Sequence, residues 1–224
     1  MRNTDQQPLW ATPYSITSTN DEKMLKEALS SFLGNTELTD PLAQILTCVS
    51  KKGRVTFHDV AETVGDNAEE VLLMGYELRL ILPMRTRRTS SWEDRLLLFS
   101  PVELYEVPNI VGYLVENASK TGLWEPEVAL AELFREMGDQ DWHIIPRLVE
   151  RLWDLSKNHR ITAVQIKEIC SGLGLGDRVD ALIVELKGSG VISPKLASPA
   201  EVSRAGAVIF ELNPSLLTHR EKKE

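Results

Sequence analysis

The stretch Ser50-Lys51-Lys52-Gly53-Arg54-Val55-Thr56 returns later in the chain as Ser156-Lys157-Asn158-His159-Arg160-Ile161-Thr162. Around both copies the hydrophobic pattern is the same. An amphipathic helix precedes the echo, a short helical run follows it, and a longer helix then ends in Leu80-Ile81-Leu82-Pro83 or Val191-Ile192-Ser193-Pro194. The β-branched residues inside each echo, Val55-Thr56 and Ile161-Thr162, suit a single strand rung between helices. A chain of 224 residues is short for two average domains but long enough for two small ones sharing an interface. The repeat makes that division the working expectation.

Moving out from the first copy, Asp40-Pro41 reads as a helix start, an N-cap oxygen followed by a residue with no N–H to leave unpaired. Leu42, Ile45, Leu46 and Val49 then line one face up to Gly53. Phe57 to Val64 makes a second helix, Gly65-Asp66-Asn67 a turn, and Ala68 to Arg79 a third helix. Leu80 to Met84 is expected to pair with Arg95 to Phe99 across a loop from Arg85 to Asp94. The second copy has helices from Asp141 to Asn158, Ala163 to Ser171 and Asp177 to Gly188, and a hairpin of Val191 to Leu196 with Ala207 to Leu212. Both hairpins are expected to end alike, at Phe99-Ser100-Pro101 and Leu212-Asn213-Pro214.

The predicted divisions are a polar arm over 1–18, into which Trp10 brings an apolar anchor, and a lead-in helix over 19–39. Thr19-Asn20-Asp21-Glu22 has the spacing of a capping box for that helix, and Leu25, Ala28, Leu29 and Phe32 form its apolar stripe. A first unit over 40–101, a two-helix spacer over 102–140, a second unit over 141–217 and a polar tail over 218–224 complete the chain. The fold class is mainly α with small β-hairpins, an α+β arrangement.

The run Ile166-Lys167-Glu168-Ile169-Cys170-Ser171-Gly172-Leu173-Gly174-Leu175, followed by Val179, Leu182, Leu186 and Gly190-Val191-Ile192, resembles the helix-turn-helix and start of the wing in winged-helix proteins. Val60-Ala61-Glu62-Thr63-Val64-Gly65, with Glu70-Val71-Leu72 and Leu80-Ile81, is similar, with a turn five residues shorter. The resemblance covers roughly 40–101 and 141–214 and implies a tandem winged-helix protein. That superfamily includes transcription factors, and also scaffolds of chromosome-segregation and membrane-sorting complexes in which the fold binds protein.

In a DNA-reading member the third helix enters the major groove, where Arg, Lys, Asn and Gln read base edges. Here Asp66, Glu69, Glu70 and Glu77 stand on the first such helix, and Leu73, Met74 and Tyr76 give it more apolar surface than one buried stripe uses. On the second, Asp177, Asp180 and Glu185 offset Arg178 and Lys187, and Val184 stands where a polar reader belongs. Leu73, Met74, Tyr76 and Val184 are therefore candidates for a protein interface. The first wing reads differently. Arg85-Thr86-Arg87-Arg88-Thr89-Ser90-Ser91 holds three guanidinium groups and four hydroxyls, with Arg95 on the return. Together with Lys51 and Arg54 these are the candidate phosphate contacts. Four arginines on phosphate would give a log–log salt slope of roughly -3.6. The second wing offers only Lys195 and Arg204, beside Glu201.

Composition sets the remaining bounds. Hydrophobic content of 42%, charged content of 26% and a net charge of -8 describe an ordinary globular chain that phosphate would repel except at a local basic patch. Cys48 and Cys170 lie in predicted helices without metal or redox spacing, and no run approaches the about 18 apolar residues of a membrane span, so a reducing cytoplasm is expected. Ser171-Gly172-Leu173-Gly174-Leu175-Gly176-Asp177 lacks the Gly-Lys-Ser/Thr of a P-loop and reads as the turn between helices. His58, His143, His159 and His219 stand alone, and no nucleophile elbow or singular carboxylate pair is present. The sequence therefore predicts a binding protein without cofactor or metal. Its first function is a DNA-associated regulator acting through the first wing, as a dimer, and the alternative is a protein-interaction scaffold using the third helices.

Overall fold

The computed structural model describes residues 19–89, 91–196, 203 and 206–217. The expected arm with Trp10, the polar tail, and the loop residues Ser90, Glu201 and Arg204 lie outside the described residues. The chain is mainly helical, with two three-stranded antiparallel sheets.

Helix α1, Thr19–Leu33, buries Leu25, Ala28 and Leu29, three residues that helical spacing puts on one face. Helix α2, Thr39–Lys52, begins one residue before the expected cap. Thr39 Oγ1 accepts the Thr36 N–H, and Asp40 turns away to meet Lys26 Nζ of α1 at 2.9 Å. The attraction of that lysine explains why the Asp40 oxygen does not cap the helix. Gly53, at φ 76°, closes α2 by giving its N–H to the Val49 carbonyl, a conformation only glycine adopts cheaply.

Each echo then performs the same two tasks. Strand β1, Arg54–Thr56, runs directly into α3, Phe57–Val64, and Thr56 both ends the strand and caps the helix. Its hydroxyl accepts the Asp59 N–H while the Asp59 carboxylate accepts the Thr56 N–H at 2.8 Å. A 3-10 turn at Gly65–Asn67 leads to α4, Ala68–Glu77. Strand β2, Leu82–Pro83, and strand β3, Leu104–Glu106, complete the sheet in the order β1-β3-β2.

The position of β3 corrects the expected hairpin. Tyr105 pairs with both Val55 and Pro83, whereas Arg95 to Phe99 supplies one isolated bridge, Thr86 to Arg95, and then leaves the sheet. Tyr105 explains the difference. Its ring is fully buried at the sheet centre and its hydroxyl donates to the Leu98 carbonyl, so the segment before it is held across the core as an irregular strap. The first sheet is thus completed past Pro101, by β3 up to Glu106.

Helices α5, Asn109–Thr121, and α6, Pro126–Glu136, connect the repeats. α5 lies against α1 and α6, and α6 packs also on α7, Ile145–Leu155. Strand β4, Arg160–Thr162, feeds α8, Ala163–Gly172, through a second capping box, now between Thr162 and Gln165. A 3-10 turn at Gly176–Arg178, helix α9, Val179–Gly188, and strands β5, Ile192–Pro194, and β6, Ile209–Leu212, follow, with the sheet ordered β4-β6-β5. The element order of the first half is therefore repeated in the second.

The halves are joined by one continuous core that runs from Leu25 to Leu216. Where α9 ends, the Ser189 carbonyl accepts the Ile110 N–H of α5 at 2.9 Å. Gly190 permits this approach, since a Cβ there would stand 2.6 Å from Pro108 Cβ. On the sheet side, Arg79 reaches Glu211, Glu93 reaches Lys195, and the Trp92 N–H donates to Ser193 Oγ at 3.1 Å.

Candidate functional site

The arginine-bearing loop between β2 and β3 is built on Asp94. A 3-10 turn at Trp92–Asp94 brings its carboxylate under the loop tip, where it accepts the backbone N–H groups of Arg88 and Thr89. Those bonds, the Thr89 N–H foremost, hold the Asp94 carboxyl below the usual aspartate range. An acid thus organises the loop that carries the arginines.

Of the six expected phosphate contacts, the structure leaves four outward. Arg87 and Arg88 have exposed side chains in the loop after β2, and Lys51 and Arg54 are exposed at the end of α2 and the start of β1. Arg85 is also exposed but is paired with Glu103 at 2.6 Å. Arg95 is turned inward, contrary to the phosphate contact expected of it, because Glu106 Oε1 at 2.7 Å and the Pro83 carbonyl at 2.8 Å hold its Nη1. The two outward groups are not one strip. Arg54 shares a rung with Glu106 and Leu82, and from Leu82 to Arg87 the chain advances on the order of 16 Å at strand rise. The Arg85–Glu103 pair lies between these ends of the sheet.

The third helices are resolved residue by residue. On α4, Leu73 is 46% exposed and shares the outer surface with Glu69, Glu70 and Glu77, with Glu62 and Asp66 exposed just before the helix. Met74 and Tyr76, expected at an interface, are instead partly buried. Met74 packs on the core, and the Tyr76 hydroxyl donates to the Trp92 carbonyl at 2.9 Å. On α9, Val184 is 65% exposed, beside exposed Asp180 and Ala181. Lys187 remains outward on the last turn of α9.

The arginines adjoining these helices face inward. Arg79, after α4, stacks over the Tyr76 ring at 4.6 Å and bonds Glu211 through Nε and Nη2 at 3.1 and 2.9 Å. Its φ of 55° is a left-handed conformation that the surrounding contacts must hold in place. Arg178, before α9, takes both Asp139 oxygens at 2.7 and 2.9 Å, Asp141 at 2.8 Å and Glu185 at 3.0 Å. The Asp139 hydrogen bonds are the main reason that its proton is held even more tightly than in a free guanidinium. Sequence reading weighed Glu185 against Arg178 and missed Asp139, which lies 39 positions upstream and has no local signal.

Among the described residues no three His, Cys, Asp or Glu side chains converge as a metal site requires, and no helix is long and apolar enough to cross a membrane. Cys48 and Cys170 are unpaired thiols, and burial pushes Cys170 upward in pKa, away from the reactive thiolate. The described surface shows two exposed arginines in the loop after β2, and two helix faces carrying carboxylates around an apolar residue.

Comparison with curated proteins and with solved structures returns no match. A family profile that carries no description of activity or ligand does match, over residues 24–223. That span takes in both repeats and the helices between them, so the chain belongs as a whole to this one uncharacterised family.

Proposed function

We infer that the chain is a non-enzymatic scaffold of two winged-helix units whose third helices meet protein. The carrying observation is the inward turn of Arg79 and Arg178. A helix that reads DNA keeps its cations outward, toward phosphates and base edges. Here both flanking arginines are spent on carboxylates of the chain itself, and the outer surfaces keep Glu69, Glu70, Glu77 and Asp180 around Leu73 and Val184. Laid in a groove, those acids would face phosphate at close range. Against a protein they form an apolar contact with an acidic rim, complementary to a basic partner.

A second reading, a DNA-associated regulator, is favoured by Arg87 and Arg88, which stay exposed at the wing. With two arginines on phosphate its log–log salt slope falls to roughly -1.8. Titration of random duplex DNA against the full chain at rising salt separates the two. The scaffold reading expects no binding at low salt. Binding with that slope, abolished by R87E/R88E, would establish the wing reading in its place. A photo-crosslinking residue at position 73 or 184 is expected to give a discrete protein adduct in cells, and one at exposed Lys23 is not. Equal labelling at all three positions counts against a dedicated helix surface.

A further inference from the structure

One outward row of α7 is basic. Arg147, Arg151 and Leu155 follow at four-residue spacing, one turn apart on the same side of the helix, and all three are exposed, Leu155 by 51%. Past the helix, Asn158 and His159 take left-handed conformations, φ 51° and 61°. The tight turn they make sets Lys157 and Arg160 on one rung, each giving its N–H to the other's carbonyl at 3.0 Å. Two exposed cations thus stand directly opposite each other, which is unfavourable until an acid answers them. Glu211, across the sheet from Arg160, is already engaged by Arg79 at 2.9 Å. Among the described residues, the side chains of Arg147, Arg151, Lys157 and Arg160 have no ion-pair or hydrogen-bond partner. Glu150 and Asp154 of the same helix line a cleft on its other flank, against α6.

We propose that this basic face of α7 receives the α4 face of a second copy of the chain. The proposal rests on the reading that the third helices meet protein, and it names their partner. On α4, Glu69, Leu73 and Glu77 repeat the four-residue spacing with Glu70 beside them, all exposed. Each row spans about 12 Å of helix and holds one exposed leucine among charges of one sign, and the signs are opposite. Laid side by side, the rows cover both leucines and set Glu against Arg, whereas either row against itself sets like charges together. Such a contact joins different surfaces of successive copies, so it adds them head to tail unless the rotation closes. A net charge of -8 and the exposed Asp154 one turn from Arg151 work against nucleic acid as the occupant.

Sedimentation velocity of the full chain at rising concentration tests it. Association is expected at low salt, weakened about tenfold in 1 M salt. R147E/R151E and E69K/E77K change exposed side chains only, and each is expected to weaken association about a hundredfold with circular dichroism unchanged. Their equimolar mixture is expected to restore it, because each variant supplies the charge that the other has reversed. A chain that stays monomeric, association that neither reversal weakens, or a mixture that fails to associate overturns the proposal. So does random duplex DNA bound by a monomeric chain and released in R147E/R151E, since the face then belongs to phosphate. The crosslinker at position 73 keeps this failure apart from failure of the third-helix reading. The expected adduct joins it to an α7 peptide of a second copy; an adduct with a different protein overturns the second-copy partner alone, and no adduct at all overturns both.

Discussion

Arg178 shows how one residue can look functional in the sequence and be structural in the fold. Arginine before a third helix suggests a phosphate contact, yet this guanidinium joins the loop after α6 to the start of α9 by three hydrogen bonds and adds a fourth to Glu185 of α9. Asp139 is the partner that matters most, since its side chain is only 2% exposed and would be left charged and dry without Arg178. Removing one member of such a buried pair costs about 3–5 kcal/mol, and R178A is expected near the lower end because the guanidinium is itself partly exposed. R178K is expected to recover little. Lysine is a point charge and cannot present paired N–H groups to both Asp139 oxygens while still reaching Asp141 and Glu185. Urea unfolding of the two variants is the measurement, and R178K matching the unsubstituted chain would show that the fork geometry is irrelevant. Arg95 carries the same lesson, since no pattern in the loop around it announces that Glu106 and Pro83 will draw it inward.

The elements were more legible than their pairings. Helices and strand rungs fall close to where periodicity and turn residues put them, because burying an apolar face is a local property of spacing. The first hairpin departs from the sequence expectation because Phe99-Ser100-Pro101 and Leu212-Asn213-Pro214 look alike. Pro214 follows the return strand β6, whereas Pro101 precedes the return strand β3, and only the packing of Tyr105 distinguishes them. The echo carries a further signal: each threonine is followed at the third position by Asp59 or Gln165, the spacing of a capping box. T56A and T162A are each expected to cost about 1 kcal/mol of stability. The boxes differ in acid. Hydrogen bonds from the Thr56 backbone N–H and hydroxyl, then from Lys52, hold Asp59 far below the ordinary carboxylate range, while Gln165 does not titrate. A depressed native pKa means that the Asp59 contribution is complete above about 3.9 and is lost as pH falls through the lower folded value. Amide exchange on acidification should therefore loosen α3 in that window while α8 keeps its protection. Equal loosening of both helices would contradict the assignment.

Taken as a whole, the molecule is two similar halves that lean on each other, and a surface reading of either half depends on that contact. Arg79, Trp92 and Glu93 of the first half meet Glu211, Ser193 and Lys195 of the second, and the Asn213 side chain donates to the Gly190 carbonyl within its own half. This junction fixes the Trp92–Glu93 turn of one half against the sheet of the other, so the acidic face of α4 is presented at a set angle and not on a tether. Periodicity could not reveal it, since the residues are ordinary polar side chains far apart in the chain. Arg79 is the test point. It combines an ion pair at 2.9 Å, a ring contact and a left-handed backbone that other contacts must hold. Both partners are mostly buried, so the pair should couple more strongly than a surface ion pair, which typically contributes about 0.2–1 kcal/mol. A double-mutant cycle of R79A and E211A is expected to return about 1–3 kcal/mol of interaction energy, measured by chemical denaturation. The R79A penalty should also appear as faster amide exchange in β6, whose Glu211 accepts the Arg79 guanidinium. Coupling near zero, with exchange in β6 unchanged, would mean that the halves merely touch there, and that their relative angle is set by Gly190 and Pro108 at the other end of the interface.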